Sequence, residues 1–203
     1  MILVGRNMSP FVRRVAASLN LLGLPFEQRI LSTVDNQAEI QAVNPLGRVP
    51  ALILDDGEVL VDSNAILDAI DDLVGPDRAL VPASGAARRS AMRPLAIAVG
   101  ATEKTVAAYY ELRRRPAELT WETYGQKLWS QAAAGFAALD ALAAQSPWLA
   151  GEALGQADIT ATAGLDFAEA MLPELAQGRF PALGALRDRA NAIPAIGGTR
   201  WKG

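Results

Sequence analysis

The pattern of the chain changes near residue 76, and this change constrains the fold more than any other feature of the sequence. Before that point, short runs of strand-forming residues alternate with amphipathic, helix-forming runs. After it, strand patterns disappear and alanine-rich segments with helical spacing take over. The sequence therefore predicts an α/β domain followed by an all-helical domain.

The first 76 residues follow the order βαβ, α, ββα. Ser9 suits the N-cap of the first helix, Pro10 its first position and Gly23 its C-terminal stop. Asp55-Asp56-Gly57 between two apolar runs indicates a hairpin. The expected strands and helices are 2–4, 10–22, 26–31, 37–43, 51–54, 59–61 and a helix that Ser63 caps.

Residues 77–87 are rich in proline, glycine and alanine, which is typical of a linker. The expected domains are therefore 1–76 and 88–203. Four helices are expected in the second domain: one that ends at Pro116, then 128–142, 158–170 and 181–192. Along the first of these, helical spacing predicts an apolar core stripe of Met92, Val99, Val106 and Tyr110.

The start of the third of these helices carries a capping pattern. Gly155 takes the cap position, so the half of a capping box that a serine or threonine side chain would supply is missing. Asp158, three residues later, can still reach back to the N–H of the cap, and Leu154 can pack against Ile159. We expect this pattern to serve folding.

The chain of 203 residues contains no cysteine and no histidine. Disulfides, Cys-x-x-Cys redox pairs, Ser-His-Asp triads and imidazole metal ligands are therefore excluded, and we expect no metal. The net charge of −3 argues against nucleic-acid binding, and no apolar run is long enough to span a bilayer. We expect a soluble, cytoplasmic protein with neither nucleic-acid nor membrane partners. Catalysis would rely on hydroxyls, carboxylates, guanidiniums, helix dipoles or the reactive group of a bound molecule.

Three short motifs in the first domain point to one kind of site. They are Ser9-Pro10-Phe11-Val12-Arg13-Arg14-Val15, the run from Asn44 to Leu52 that contains Val49-Pro50, and Asp62-Ser63. A proline before a strand lacks a backbone donor and is a candidate for a cis peptide bond. The backbone groups of the residue before it could then pair with an extended peptide.

These motifs, together with the two-domain layout, resemble the soluble glutathione S-transferases, and in particular serine-type bacterial members. The resemblance covers essentially the whole chain. It implies a thioredoxin-like N-terminal domain and an all-helical C-terminal domain. It also implies a cytoplasmic homodimer that uses glutathione as co-substrate and adds its sulfur to a hydrophobic, electrophilic small molecule, as in detoxification.

The resemblance makes Ser9 the catalytic residue, because in serine-type members that hydroxyl donates a hydrogen bond to the glutathione thiolate. A free thiol has a pKa of about 8.5, and lowering that pKa by about 2 requires about 2.7 kcal/mol. One charge-assisted hydrogen bond, worth roughly 1.5–3 kcal/mol, and the helix dipole can supply this. Asn7 is the alternative donor if Ser9 points elsewhere, and a backbone N–H is another.

The other glutathione contacts follow from the same resemblance. The backbone of Val49, with Pro50 in cis, would pair with the cysteinyl unit, and Arg48 would meet the glycyl carboxylate. Ser63 is expected to cap a helix and hold the γ-glutamyl carboxylate at the positive helix end. Asp62 would take the ligand's ammonium group.

The electrophile pocket is expected to combine residues of both domains. The loop between the first strand and the first helix contributes one part, and the end of the first long helix contributes the other. Tyr110 falls on the expected core stripe, so its neighbour is the better pocket candidate. The pocket candidates are Asn7, Met8, Phe11, Tyr109 and Arg113.

Two other functions fit the same motifs. A glutathione-dependent isomerase, dehalogenase or peroxidase would share the glutathione site and differ in the second pocket. A non-catalytic member would use the fold as an interaction module, although such members tend to lose site residues that are present here.

Overall fold

The structure is a computed structural model that describes residues 1–201. The chain forms two compact units. The first unit contains Met1–Ala83 together with residues 191–201, and the helical unit contains Ser84–Ala190. The C-terminal segment, predicted to belong to the helical domain, thus groups by its contacts with the first unit.

A four-stranded sheet forms the centre of the first unit. Leu3 and Leu52 lie in a cluster with side chains of the first and third helices, whereas Val4 and Ala51 pack with Ile40 of the second helix. The strands are β1 (Ile2–Val4), β2 (Glu27–Arg29), β3 (Ala51–Ile53) and β4 (Val59–Val61). The strand order is β2-β1-β3-β4, with β1 parallel to β2 and antiparallel to β3, and β3 antiparallel to β4.

Three helices join or follow these strands in the order βαβ, α, ββα, which confirms the predicted thioredoxin-like arrangement. They are α1 (Pro10–Leu21), α2 (Gln37–Gln41) and α3 (Ser63–Val74). The core between the sheet and the helices is aliphatic, with α1 supplying Val12, Val15 and Leu19, and α3 supplying Ile66 and Ile70.

The helical unit contains the four predicted helices and one short helix that the sequence pattern did not predict. They are α4 (Gly85–Tyr109), α5 (Glu122–Ala143), α6 (Gln156–Met171), α7 (Pro173–Ala176) and α8 (Pro181–Asn191). A π-helical turn, Tyr110–Arg114, continues α4, and a 3-10 turn, Ala117–Leu119, precedes α5. No helix within residues 1–201 combines the length and the apolar character that crossing a bilayer requires.

The predicted core stripe of α4 is wrong. Met92 is 41% exposed and Tyr110 is 50% exposed. The buried face of the helix instead consists of small residues and one proline: Ala91, Pro94, Ala98, Ala101, Thr102, Thr105 and Ala108.

Close packing of α4 against its two neighbours explains this face. A Cβ placed on Gly135 of α5 would lie 2.8 Å from the Cβ of Ala101. A Cβ on Gly164 of α6 would collide with the hydroxyl of Thr102. The helices approach so closely that only small side chains fit between them.

Helix α6 is buried along most of its length, and Asp158 organises its start. The carboxylate accepts hydrogen bonds from the N–H of Gly155 and the N–H of Leu149, each at 2.8 Å. The first bond confirms the predicted half of the capping box, and the second joins the preceding turn to the helix. Burial raises the pKa of the Asp158 carboxyl, although these backbone hydrogen bonds act in the opposite direction.

The C-terminal segment contains α9 (Pro194–Gly197) and packs on α1. The guanidinium of Arg13, which is buried, donates to the side-chain oxygen of Asn191 at 2.8 Å and to the hydroxyl of Thr199 at 3.4 Å. The amide of Asn20 also donates to the carbonyl of Ala195 at 3.3 Å. Residues 191–201 therefore complete the outer side of α1.

Candidate functional site

The register of the sheet brings the three predicted motifs to one edge. Val4, at the end of β1, pairs with Ala51 at the start of β3, and Ala51 pairs with Val61 at the end of β4. The residues that follow β1, precede β3 and follow β4 therefore leave the sheet on the same side. These are the segments that carry Ser9, Val49 and Asp62-Ser63.

Gly5 allows these segments to approach one another closely. Its φ is +124°, a backbone conformation that residues with a side chain rarely adopt. A Cβ at this position would lie 2.6 Å from Cγ2 of Val12 and 3.0 Å from the Cβ of Val49. A residue with a side chain here would push the start of α1 away from the loop before β3.

Ser9 lies at the N-cap of α1, as predicted. Its hydroxyl oxygen accepts a long hydrogen bond of 3.4 Å from the N–H of Val12. Within residues 1–201, the hydroxyl proton of Ser9 has no acceptor. Since this hydroxyl is only partly buried, it can donate to an anion at the N-terminus of the helix.

The peptide bond between Val49 and Pro50 is cis, which confirms the prediction. The buried side chain of Asn44 holds the loop before it, because its amide donates to the carbonyl of Arg48 at 2.8 Å and its oxygen accepts from the N–H of Leu46 at 3.1 Å. No described residue pairs with the backbone N–H or C=O of Val49. These two groups can therefore bind a peptide backbone.

At the third motif, the predicted helix cap must be corrected. Asp62, not Ser63, caps α3: its φ is +68° and its carboxylate accepts from the N–H of Asn64 at 2.8 Å. Ser63 is the first residue of the helix and is buried. The N–H of Ser63 thus belongs to the positive end of α3, and the exposed carboxylate of Asp62 stands beside it.

Arg14 supports this third motif and was missed in the sequence. It is 1% exposed, and one nitrogen of its guanidinium, Nη2, donates to the hydroxyl of Ser63 at 2.9 Å and to the side-chain oxygen of Asn64 at 2.6 Å. These bonds tie α1 to the first turn of α3. An arginine inside the apolar stretch of α1 was the available signal, since so large a charged side chain is seldom buried without partners.

The remaining candidates of the first unit surround Ser9 and Val49 in the sequence. The side-chain oxygen of Asn7 accepts from Nε2 of Gln28 at 2.7 Å, and Nε2 of Gln28 also donates to the carbonyl of Gly5 at 2.9 Å. This fixes the loop between β1 and α1. Met8 and Phe11 are partly buried, and Arg48 is exposed.

Tyr109 and Arg113 lie together at the end of α4 in the helical unit. The ring of Tyr109 packs edge-on against Phe167, with ring centroids 5.9 Å apart, and borders the core. The guanidinium of Arg113 forms an exposed ion pair with Glu174 at 3.2 Å. The exposed neighbour of Tyr109 is Tyr110, the reverse of what the core stripe predicted.

The edge of the first unit thus combines two helix N-termini, a hydroxyl that can donate, and an unpaired backbone N–H and C=O. Helix N-termini favour anions, and a hydrogen-bond donor beside one of them favours a thiolate over a thiol. The site can bind a short extended peptide that carries a carboxylate and a thiol.

Comparisons with known proteins agree with this chemistry. The family model "Glutathione S-transferase, N-terminal domain" matches residues 3–78, and "Glutathione S-transferase, C-terminal domain" matches residues 117–194. A maleylacetoacetate isomerase from Pseudomonas aeruginosa is 30% identical over 194 residues, which cover 90% of this chain and 87% of the relative.

Solved structures are similar over nearly the whole chain. A glutathione transferase family member from Pseudomonas fluorescens Pf-5 with bound glutathione has a TM-score of 0.85 at 30% identity, covering 100% of this chain and 99% of that one. A glutathione S-transferase from Methylobacterium radiotolerans in complex with glutathione sulfonate has a TM-score of 0.89 at 27% identity, covering 98% of this chain and 93% of that one.

Proposed function

The chain belongs to the glutathione S-transferase family, and from this premise we propose that it binds glutathione at the edge of its first unit, stabilises the thiolate through Ser9 and adds the sulfur to an electrophilic small molecule. The observation that carries the proposal is the sheet register. It brings the Ser9 hydroxyl, the unpaired backbone of Val49 and the start of α3 to one edge. Structures of relatives with bound glutathione support the choice of peptide.

The residues present fit the three parts of glutathione. The unpaired N–H and C=O of Val49 suit its cysteinyl backbone. The N–H of Ser63 at the start of α3 suits the γ-glutamyl carboxylate, and the exposed carboxylate of Asp62 suits the ammonium group. Arg48, exposed beside Val49, would pair with the glycyl carboxylate.

Ser9 would then act as a hydrogen-bond donor and not as a base. The thiol proton leaves to solvent, and the hydroxyl of Ser9 donates to the sulfur anion at the N-terminus of α1. The thiolate forms a carbon–sulfur bond with the electrophile, which loses a leaving group or takes up a proton. The hydroxyl need not change its protonation state at any stage.

Calorimetric titration with glutathione in two buffers of different ionisation enthalpy tests this assignment, because it reports proton release on binding. We expect the wild type to release a proton near neutral pH. Ser9→Ala should still bind, since the backbone contacts remain, but its bound thiol should have a pKa higher by about 1–2, the equivalent of one charge-assisted hydrogen bond.

Ser130→Ala is a matched control. Ser130 is an exposed serine of α5 whose hydroxyl bonds to the carbonyl of Gln126 within its own helix. It should behave as the wild type. An unchanged thiol pKa in Ser9→Ala would remove the role of Ser9, and the absence of binding at millimolar glutathione would favour a non-catalytic interaction protein.

A glutathione-dependent isomerase is the second candidate, because a maleylacetoacetate isomerase covers 90% of this chain at 30% identity. The two reactions differ in what happens to glutathione. A transferase consumes one thiol per product, whereas an isomerase returns it. Counting free thiols during turnover of a panel of electrophiles and cis-enone acids separates them, and a halide or peroxide assay on the same panel detects a dehalogenase or peroxidase.

We also propose an oligomeric state, a location and a biological role for this enzyme. The family resemblance supports a cytoplasmic homodimer with a role in detoxification. Light scattering coupled to size-exclusion chromatography tests the dimer, since a monomer would give a molar mass of 21.5 kDa, half that of the dimer.

A further inference from the structure

A series of hydrogen bonds links the C-terminal segment, residues 191–201, to Ser9. At one end of the series, the side chains of Asn191 and Thr199 accept from the guanidinium of Arg13 at 2.8 and 3.4 Å. At the other end, the backbone N–H of Arg13 donates to the carbonyl of Ser9 at 3.0 Å. Arg13 thus contacts the segment through its side chain and the cap of α1 through its backbone.

The backbone of Ser9 is held on both sides of its side chain. Its carbonyl accepts from Arg13, and its N–H donates to the carbonyl of Arg6 at 3.0 Å. The hydrogen bond that its hydroxyl accepts from the N–H of Val12 is long, at 3.4 Å. The direction in which the hydroxyl points therefore depends mainly on how firmly the backbone around it is fixed.

Arg13 fixes the position of α1 against the C-terminal segment. It is 4% exposed, and burying a charged side chain costs more than burying an aliphatic one of similar volume. The two acceptors lie on either side of α9 in the sequence. The hydroxyl of Thr199 is itself held, because it donates to the carbonyl of Ile196 at 2.7 Å. Directed hydrogen bonds to two acceptors select one arrangement, which apolar packing alone does not do.

We propose that Arg13 is a positioning residue of the glutathione site, and that residues 191–201 hold Ser9 in the orientation that meets the sulfur. This inference rests on the function proposed for Ser9. Arg13 does not touch glutathione in this arrangement and acts through the backbone of Ser9. Because coupling between two sites is reciprocal, bound glutathione strengthens the contact between the segment and α1.

Asn191→Leu tests this proposal, because it removes the shorter of the two bonds and keeps the size of the side chain. Two-buffer calorimetric titrations with glutathione at a series of pH values give the pKa of the bound thiol. We expect this pKa to rise by about 0.5–1, part of the shift expected for Ser9→Ala. Asn191→Asp restores an acceptor and should return the pKa to that of the wild type, although its charge offsets that of Arg13.

A double variant shows whether the effect passes through Ser9. In a Ser9→Ala background, Asn191→Leu should not raise the thiol pKa any further, since the hydroxyl is absent. Hydrogen exchange tests the reciprocal effect. Saturating glutathione should slow the exchange of residues 194–199 in the wild type by about threefold to tenfold, the equivalent of the expected pKa shift.

Asn20→Leu is the matched control. The amide of Asn20 donates to the carbonyl of Ala195 at 3.3 Å, so this variant also removes a contact between α1 and the segment. Asn20 lies near the other end of α1, about 16 Å from Ser9 along the helix axis. The pKa of the bound thiol should therefore stay as in the wild type.

Several results would overturn the positioning role: a wild-type thiol pKa in Asn191→Leu, a raised pKa in Asn191→Asp, or the same increase in Asn20→Leu or in the Ser9→Ala background. If Asn191→Leu does not fold stably, Thr199→Val gives the same comparison with a smaller shift. Failure of the function proposed above looks different, because the wild type itself would then release no proton with glutathione. That result would overturn both proposals.

Discussion

At the scale of single residues, the candidate site depends on one arginine that does not face the ligand in the proposed arrangement. Arg14 is buried in α1 and donates to Ser63 and Asn64 of α3. It holds in place the helix start that would receive the γ-glutamyl carboxylate. We therefore expect Arg14 to be a positioning residue that affects binding through Ser63.

Replacing Arg14 by methionine keeps most of the aliphatic volume and removes both hydrogen bonds. We expect Arg14→Met to lower the free energy of unfolding by about 2 kcal/mol, since hydrogen bonds to charged groups contribute roughly 1.5–3 kcal/mol. Glutathione should bind about tenfold more weakly, whereas the pKa of the bound thiol should stay as in the wild type because Ser9 is intact. Urea titration and two-buffer calorimetry measure the two effects.

The conservative variant Arg14→Lys provides the comparison. A lysine keeps the charge but not the planar fork, so partial recovery of affinity is expected. If Arg14→Met folds stably and binds glutathione with wild-type affinity, the positioning role is wrong.

Residues whose structure depends on their immediate neighbours could be predicted from the sequence, and those that depend on distant partners could not. The Ser9 cap and the cis bond before Pro50 follow from adjacent residues, and both are present. The cap of α3 lies at Asp62 and not at Ser63, with a positive φ at Asp62, and Arg14, far away in the chain, holds the hydroxyl of Ser63. No local pattern contains that information.

At the scale of elements, the packing of α4 against α5 and α6 explains why the apolar periodicity failed there. Periodicity analysis favours large apolar residues, which identify a core face when helices pack at ordinary distances. Here the contact is so close that glycine, alanine and threonine fill it, and Met92 and Tyr110 point outward. The existence of the long helices was predictable, but the face that α4 buries was not.

This close contact predicts opposite effects for two glycine substitutions in the same pair of helices. Gly135→Ala should lower the free energy of unfolding by about 1–3 kcal/mol, because its Cβ would lie 2.8 Å from Ala101. Gly100→Ala, where a Cβ meets nothing within 4 Å, should raise it by about 0.5–1 kcal/mol through helix propensity. Urea unfolding followed by circular dichroism measures both, and a stabilised Gly135→Ala would contradict the close packing.

The start of α6 predicts a dependence of stability on pH. Burial raises the pKa of Asp158, so the folded state binds this proton more tightly than the unfolded state does. The contribution of Asp158 to stability is therefore complete below its unfolded pKa of about 3.9 and declines as the pH rises through the folded pKa.

Asp158→Asn removes this titration and keeps the shape of the side chain. The free energy of unfolding of the wild type, relative to the variant, should fall as the pH rises from about 4 toward neutrality. Urea titrations of both proteins at a series of pH values measure the difference. A difference that grows with pH would show that the backbone hydrogen bonds outweigh burial.

At the scale of the whole molecule, the chain leaves the first unit after Ala83, builds the helical unit, and returns to the first unit at Asn191. The returning segment covers α1, the helix that carries Ser9, and supplies two acceptors to the buried Arg13. The change of pattern near residue 76 indicated the passage from the first unit to the helical unit. The return was not visible in the sequence, because α9 is short and its partners lie in α1.

A chain that ends at Ala190 should therefore have a weakened first unit. Loss of the acceptors leaves the guanidinium of Arg13 without Asn191 and Thr199, so amide hydrogens of α1 should exchange faster while those of α5 keep their protection. Hydrogen exchange followed by mass spectrometry measures both helices.

The point variant Thr199→Val tests the same contact in the complete chain. The hydroxyl of Thr199 accepts from Arg13 at 3.4 Å and donates to the carbonyl of Ile196 at 2.7 Å. The variant should therefore lower the free energy of unfolding by about 1–3 kcal/mol, the contribution of two hydrogen bonds, and speed the exchange of α1 more than that of α5. Wild-type exchange in α1 for both proteins would show that the segment does not stabilise this helix.

The return of the chain to the first unit also sets an order of events during protein synthesis. Domains generally fold as units while the ribosome is still adding residues, at roughly 5–20 residues per second. The helical unit is contiguous in the chain, so all of its residues are made before residues 191–201. The first unit is made earliest, yet α1 lacks its cover until residues 191–201 appear, so translation of residues 84–190 imposes a delay of roughly 5–20 s. During that interval the side of α1 that residues 191–201 cover stays exposed on the nascent chain. The unit that is translated first is therefore the last to be completed.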